Sequence, residues 1–382
     1  MTLEKSTRIT SIDFLRGLIM VIMALDHSRD FLHFDAWVHV PTDLLYTTPI
    51  LFLTRWITHY CAPIFILLAG LSAHLYGQKT GNNLTRFLIS RGLWLILLEF
   101  TLFKYGWTGT LFTLNFTALV IWAIGASMIF LAVWHKLPYY VVLATGLLIV
   151  FLHNFTDGYN PDANTLWGQI WAILHVVKPL TLGKGQEYQV HVYTLYTLLP
   201  YFGLICLGYC LGKLYTPAFT AEKRKKTLMT LGVACVALFV VLRSFNIYGD
   251  AALWTPYNNL WSGTANFVFS ALSFINTTKY PCSLLYILMT IGPGLIFLSL
   301  FENTNNIITR FFIIYGKVPM FYYILHLYLF RFIAEVIDWH NKKHLATVYF
   351  AWAFVVLILY YPCLWYSKYK AAHPEKWWLS YI

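Results

Sequence analysis

Charge is what this sequence has least of. Asp, Glu, Lys and Arg make up 11% of its 382 residues, where a soluble domain carries about a quarter. That shortage excludes an ordinary water-soluble enzyme and any solvated, disordered scaffold. Several chemical motifs are missing as well. There is no GxGxxG or Walker loop to cradle phosphates, no GxSxG elbow to seat a serine nucleophile and no HExxH pair to hold zinc. The six cysteines form no CxxC pair, and Cys206 with Cys210, four residues apart, reads as helix packing. Neither a disulfide framework nor a metal centre is expected. The first apolar segment contains Asp26, His27, Arg29 and Asp30 with no small-x-small site after it, which argues against a cleaved leader.

What is present is apolar: 59% hydrophobic residues, 19% aromatic. A spanning helix needs roughly 20 mostly apolar residues, and such runs recur along the chain. The expected fold is all-α and polytopic, embedded in the lipid bilayer as one domain over 1–382. Ten spans are read at 14–34, 50–77, 92–105, 112–133, 138–154, 193–212, 227–243, 284–301, 311–334 and 345–366. The stretch 166–177, "LWGQIWAILHVV", is too short to span comfortably and reads as interfacial or re-entrant; if it crossed, the count would be eleven. With the N-terminus inside, sixteen Lys and Arg fall on the inner side and seven on the outer, so both termini are expected in the cytoplasm. The net charge of +11 and "AEKRKK" (Ala221 to Lys226) are thereby explained as inner-loop charge, and no nucleic-acid partner is expected.

Ionisable residues inside spans are costly and point to function. In "RGLIMVIMALDH", Arg16 and His27 are eleven residues apart, almost three helical turns, so they share one face with Met20, Met23 and Asp30. If Arg16 marks the cytoplasmic interface, His27 lies roughly 16 Å deeper, near the bilayer centre. The second span enters from outside with "TRWITHYCAPIF", which brings His59 to the same depth, with Arg55 on its face. Pro63 lacks the N–H that would bond the His59 carbonyl, so a bend is expected there. The ninth span, "YGKVPMFYYILHLYLFR", is broken by Gly316, Lys317 and Pro319, with His326 in its outer half. Simpler roles stay open: His326 as an interhelical hydrogen-bonding residue, Arg331 as an interfacial residue, and Arg29 as a neutralising partner for Asp26 or Asp30. Glu99 is a further buried acid in the third span.

An imidazole whose charge state is set by an adjacent carboxylate is suited to general-base work. His27, with Asp26 beside it and His59 opposite, would deprotonate an amine or hydroxyl attacking an acyl thioester. Arg16 and Lys317, at the inner ends of their spans, would hold the donor's phosphates.

The stretches "SIDFLRGLIMVIMALDH", "APIFILLAGLSAHLYG" and "YGKVPMFYYILHLYLF" resemble bacterial membrane proteins related to heparan-α-glucosaminide N-acetyltransferase. Arg16, ten intervening residues and His27 also resemble the opening motif of the wider acyltransferase-3 group. The resemblance implies transfer of acetyl from cytosolic acetyl-CoA, as co-substrate, to a glucosamine-containing glycan or amino sugar across a bacterial inner membrane. It also implies a histidine in the loop after the first span, for which His39 in "FDAWVHVPTD" is the counterpart, so His27 and His39 both stand as candidate bases. O-acylation of a cell-surface polysaccharide and proton-coupled transport are the rival functions, and association with a second copy of the chain stays open.

Overall fold

The computed structural model describes residues 9–33, 35–183, 189–258, 262–337 and 344–382. Of the loop charges counted from sequence, Lys5, Arg8, Lys184, Lys342 and Lys343 lie outside the described residues. Apolar runs give the first helices: α1 (Thr10–Leu32), α2 (Pro49–Thr58), α3 (Cys61–Gly77), which carries Pro63 in its first turn, and α4 (Leu84–Leu98). A π-helical turn, Glu99–Phe103, joins α4 to α5 (Lys104–Thr108); α6 (Val120–Trp134), α7 (Tyr139–Leu152) and α8 (Leu166–Leu174) follow. The remainder comprises α9 (Leu198–Leu211), α10 (Ala221–Ser244), α11 (Gly263–Ile275), α12 (Leu284–Leu300), α13 (Ile307–Lys317), α14 (Pro319–Val336) and α15 (Leu345–Ala372). Starts are set by side-chain caps: Thr48, Asn83, Thr165, Thr220, Ser262, Ser283 and Asn306 each accept a hydrogen bond from the first turn of the helix that follows.

The chain is 70% helix and 4% strand, so the all-α expectation needs a small correction. Three strands, β1 (Asn115–Ala118), β2 (Pro179–Leu182) and β3 (Val190–Thr194), form one sheet in the order β1-β3-β2. β3 runs parallel to β1, with Asn115 opposite His191, and antiparallel to β2, with Leu182 opposite Val190. Strands of four or five residues are too short to show a period, which is why the sequence hid them.

Among the described residues, five helical segments are long and apolar enough to cross a membrane: Pro49–Gly77, Tyr139–Thr156, Leu198–Tyr215, Ala221–Ser244 and Leu345–Ala372. A sixth is the pair α13 and α14, bent by 87° at the Gly316-Lys317-Pro319 break. The length and composition that define a span therefore give five or six, where the sequence was read as ten. The shortfall has a physical cause. α1 is long but carries Asp13, Arg16, Asp26, Arg29 and Asp30, while α6 and α12 are apolar but shorter. α8, nine residues, reaches only about 13 Å, less than the hydrocarbon thickness.

α1 is the hub, packed by α2, α3, α12, α13, α14 and α15. Glycine lets it approach α13 closely: a methyl at Gly17 would come within 1.8 Å of the Phe312 carbonyl oxygen, and one at Gly316 within 1.8 Å of that of Asp13. Gly70 and Gly208 do the same for α3 against α9, each facing a carbonyl oxygen at 2.1 Å. Small residues at crossings are how helices associate where apolar burial against lipid gives no driving force.

Candidate functional site

His27 lies on the α1 face turned towards α14. Its Nδ1 is 2.8 Å from Nε2 of His326, the two rings stack at 5.0 Å, and the edges of Trp107 and Tyr323 close the sides at 4.8 and 5.7 Å. On its other side His326 Nδ1 is 2.8 Å from the Tyr322 carbonyl oxygen. A carbonyl only accepts, so His326 Nδ1 carries the proton there. With both rings neutral, His326 Nε2 is then an acceptor and His27 Nδ1 donates to it. The lone pair of His27 is left on Nε2. The backbone of α14 thus fixes the tautomer of a histidine on α1.

Asp26 does not join this pair. Adjacent helical positions are about 100° apart, and its carboxylate turns to α2, where it forms ion pairs with Arg55 and, at 3.0 Å, with Arg29. Arg29 also pairs with Asp30. Lys279, buried ahead of α12, adds a third cation to this network and faces the rings of Tyr280 and Tyr196. The Asp26–Arg29 pairing read from sequence is present, and the Asp26 carboxylate is held by two arginines rather than by a hydrogen bond to the His27 ring.

His59 is at the break between α2 and α3, where the bend at Pro63 was expected. The carbonyl freed there accepts a 2.7 Å hydrogen bond from the Tyr286 hydroxyl. Its ring packs on Tyr286 at 5.5 Å, while the ring facing His27 is His326. His39 stacks on Tyr46 at 4.1 Å within its own loop, and among the described residues no hydrogen bond or ring contact links it to His27. Glu99 accepts from the backbone N–H of Trp122, so its carboxylate caps the start of α6.

A cavity of about 300 Å³ runs along α1 past Arg16, Met20 and Met23, and reaches Tyr323 beside His27. Apolar side chains from α3, α4 and α6 complete it, and Pro319 and Met320 line it at the bend. Arg16 is held there by Asp13, the Gly316 carbonyl and Ser72. Lys317 is half-buried at the end of α13 and does not line this space. Phe87 and Arg91 also line a second cavity, of about 620 Å³, whose walls include Arg86, Lys370, His373 and Lys376 with Trp377 and Tyr381, and no carboxylate side chain. Arg91 lies over Phe87 and Tyr381 at 5.5 and 4.9 Å. Among the described residues there is no group of three or more His, Cys, Asp or Glu arranged to hold a metal ion.

Sequence reading missed the His27–His326 pairing and this cationic mouth. The His326 signal was present, a histidine in an apolar span, but nothing local named its partner 299 residues away. The mouth depends on where the segment after α15 folds back. Two comparisons bear on the whole. A family model described as heparan-alpha-glucosaminide N-acetyltransferase, catalytic, matches residues 8–249. No curated protein matches the chain.

Proposed function

The chain belongs to the family of heparan-alpha-glucosaminide N-acetyltransferase catalytic domains, and on that premise we propose that it moves acetyl from cytosolic acetyl-CoA to an amino sugar or glycan amine outside the membrane. Two cavities that share Phe87 and Arg91 in their walls support this most strongly. A broad mouth lined by cations and aromatic rings suits an adenine nucleotide, and the narrow apolar arm beyond Phe87 and Arg91 suits an extended thioester chain. That arm ends at Met23 and Tyr323, next to His27. In this reading Arg16 lies on the donor route, and Arg86, Arg91, Lys370 and Lys376 hold the donor's phosphates.

In the proposed step the acceptor nitrogen attacks the thioester carbonyl carbon, with His27 Nε2 taking its proton. The C–N bond forms as the C–S bond breaks, and the thiolate leaves with the proton returned by His27. His326 holds the tautomer that leaves Nε2 open. A polar acceptor and a cytosolic donor can meet only at a depth reachable from both sides, and α1 carries its histidine to such a depth. In this reading α1, the α4–α5 segment, α6 and α12 cross the membrane beside the six apolar candidates. That gives ten spans in one domain of a bacterial inner membrane, both termini cytoplasmic.

The test is donor binding and turnover by purified protein. Acetyl-CoA should bind, and free CoA should appear when glucosamine is added. Arg91→Ala and Arg16→Ala should each weaken CoA affinity by about tenfold, more at low salt, where charge attraction is least screened. Unchanged affinity in both would place the donor elsewhere.

A further inference from the structure

The α2-facing side of the site holds more positive charge than it neutralises. Three cations, Arg29, Arg55 and Lys279, converge on two carboxylates, Asp26 and Asp30. Lys279 is 8% exposed and rests on the rings of Tyr280 and Tyr196, at 5.1 and 5.9 Å, and no ion pair neutralises it among the described residues. Arg29 is 2% exposed, yet its Nε and Nη1 have no hydrogen-bond acceptor, and His59 Nδ1 is likewise buried without a partner. Buried donors without acceptors and an unbalanced buried charge are both costly. The cluster is not sealed, since Arg55, Trp56 and Tyr280 keep partial exposure.

We propose that this cluster is a subsite for an oxyanion, a carboxylate, sulfate or phosphate, carried by the acceptor sugar beside the amine it presents to His27. The assignment of the amine rests on the transferase reading above; the oxyanion subsite rests on the cluster alone. An oxyanion supplies what is missing: a counter-charge for Lys279 and acceptor lone pairs for the free N–H groups of Arg29. Its removal from the sugar leaves the surplus charge in place. The same surplus disfavours a protonated amine nearby, so the nucleophile reaches His27 Nε2 more readily in its neutral form.

The test is binding to the detergent-solubilised full chain without donor, using glucosamine, glucosamine 6-sulfate and inorganic sulfate as probes. The sulfated sugar should bind more tightly than glucosamine by about tenfold or more. Lys279→Gln should bring the two sugars within about twofold, with CoA affinity unchanged as the check on folding, and Lys279→Arg should keep most of the preference. Sugars that bind alike, or a preference that survives Lys279→Gln, would overturn the subsite. So would inorganic sulfate binding as tightly as the sulfated sugar, which would make the cluster a site for a free anion. A sulfate preference without any acetylation would remove the transferase reading and leave the subsite standing.

Discussion

Asp26 and His27 are neighbours in sequence and belong to different structures. His27 is flanked by aromatic rings and bonded to one other histidine and through it to a carbonyl of α14. Asp26 is in an ion network with α2. The chain also contains an acid and a histidine that are bonded to each other: Asp157 and His175, 2.9 Å apart, eighteen residues apart in sequence and outside the proposed spans. Adjacency on a helix separates two side chains by about 100°, and contact comes instead from elements that pack. The "DH" of α1 is therefore better understood as two side chains with different partners, set about 100° apart around one helix, than as a hydrogen-bonded pair.

Four substitutions would break or sharpen that contrast. The largest effect is expected at His27. His27→Ala should slow acetyl transfer by about 10²–10⁴-fold, the usual cost of losing a general base, with CoA affinity retained. CoA release followed with a thiol reagent measures this; near-normal turnover, with a dead His39→Ala, would move the chemistry to the outer loop.

Asp26→Asn should act on the fold. It leaves Arg55 and Arg29 facing a neutral amide, and removing one partner of a buried ion pair costs about 3–5 kcal/mol. Thermal unfolding in detergent should register the loss. Unchanged stability would mean that these ion pairs do not hold α1 against α2.

Replacing His326 should cost less than replacing His27, about 10–100-fold, because it orients the base and does not take the proton. His326→Gln, whose amide oxygen can still accept from His27 Nδ1, should recover a good part of what His326→Ala loses in kcat, with KM for donor unchanged in both. Equal loss in the two variants would show that the hydrogen bond is not what matters.

The smallest effect belongs to the bonded pair. Burial alone would raise the Asp157 carboxyl, but hydrogen bonds from His175 and Asn154 outweigh it and hold the group below its ordinary value. A depressed carboxylate stabilises the fold above the ordinary carboxylate range and loses that contribution as pH falls through its own lower value. The melting temperatures of the wild type and Asp157→Asn should therefore differ modestly at neutral pH and converge in acid. A gap independent of pH would assign the effect to packing.

What was legible in the sequence were features written in a single segment. The interruption of the helix at His59, four residues before Pro63, the break at Gly316-Lys317-Pro319 and the stripe of Arg16, Met20 and Met23 along one wall all follow from local spacing. What was not legible depends on chain segments meeting. His59 was matched to His27 by depth alone, but depth fixes one coordinate, and rotation about α2 turns its ring to Tyr286. Lys317 stands out for its charge near a break, yet the cavity mouth gets its cations from α4, the end of α15 and the segment after it. The sheet was invisible because each strand is shorter than a readable pattern.

The hydrogen bond between His27 and His326 also constrains how such a protein can vary over time. The family match ends at residue 249 and so includes one of these histidines without the other. Yet the donor role of the first is defined by the acceptor role of the second. A relative that replaced the residue at 326 with one unable to accept would put the proton of its first-helix histidine on the wrong nitrogen, whatever the rest of that helix conserved. The two codons are inherited almost three hundred positions apart, but selection should treat them as one, so drift at either is expected to be answered at the other.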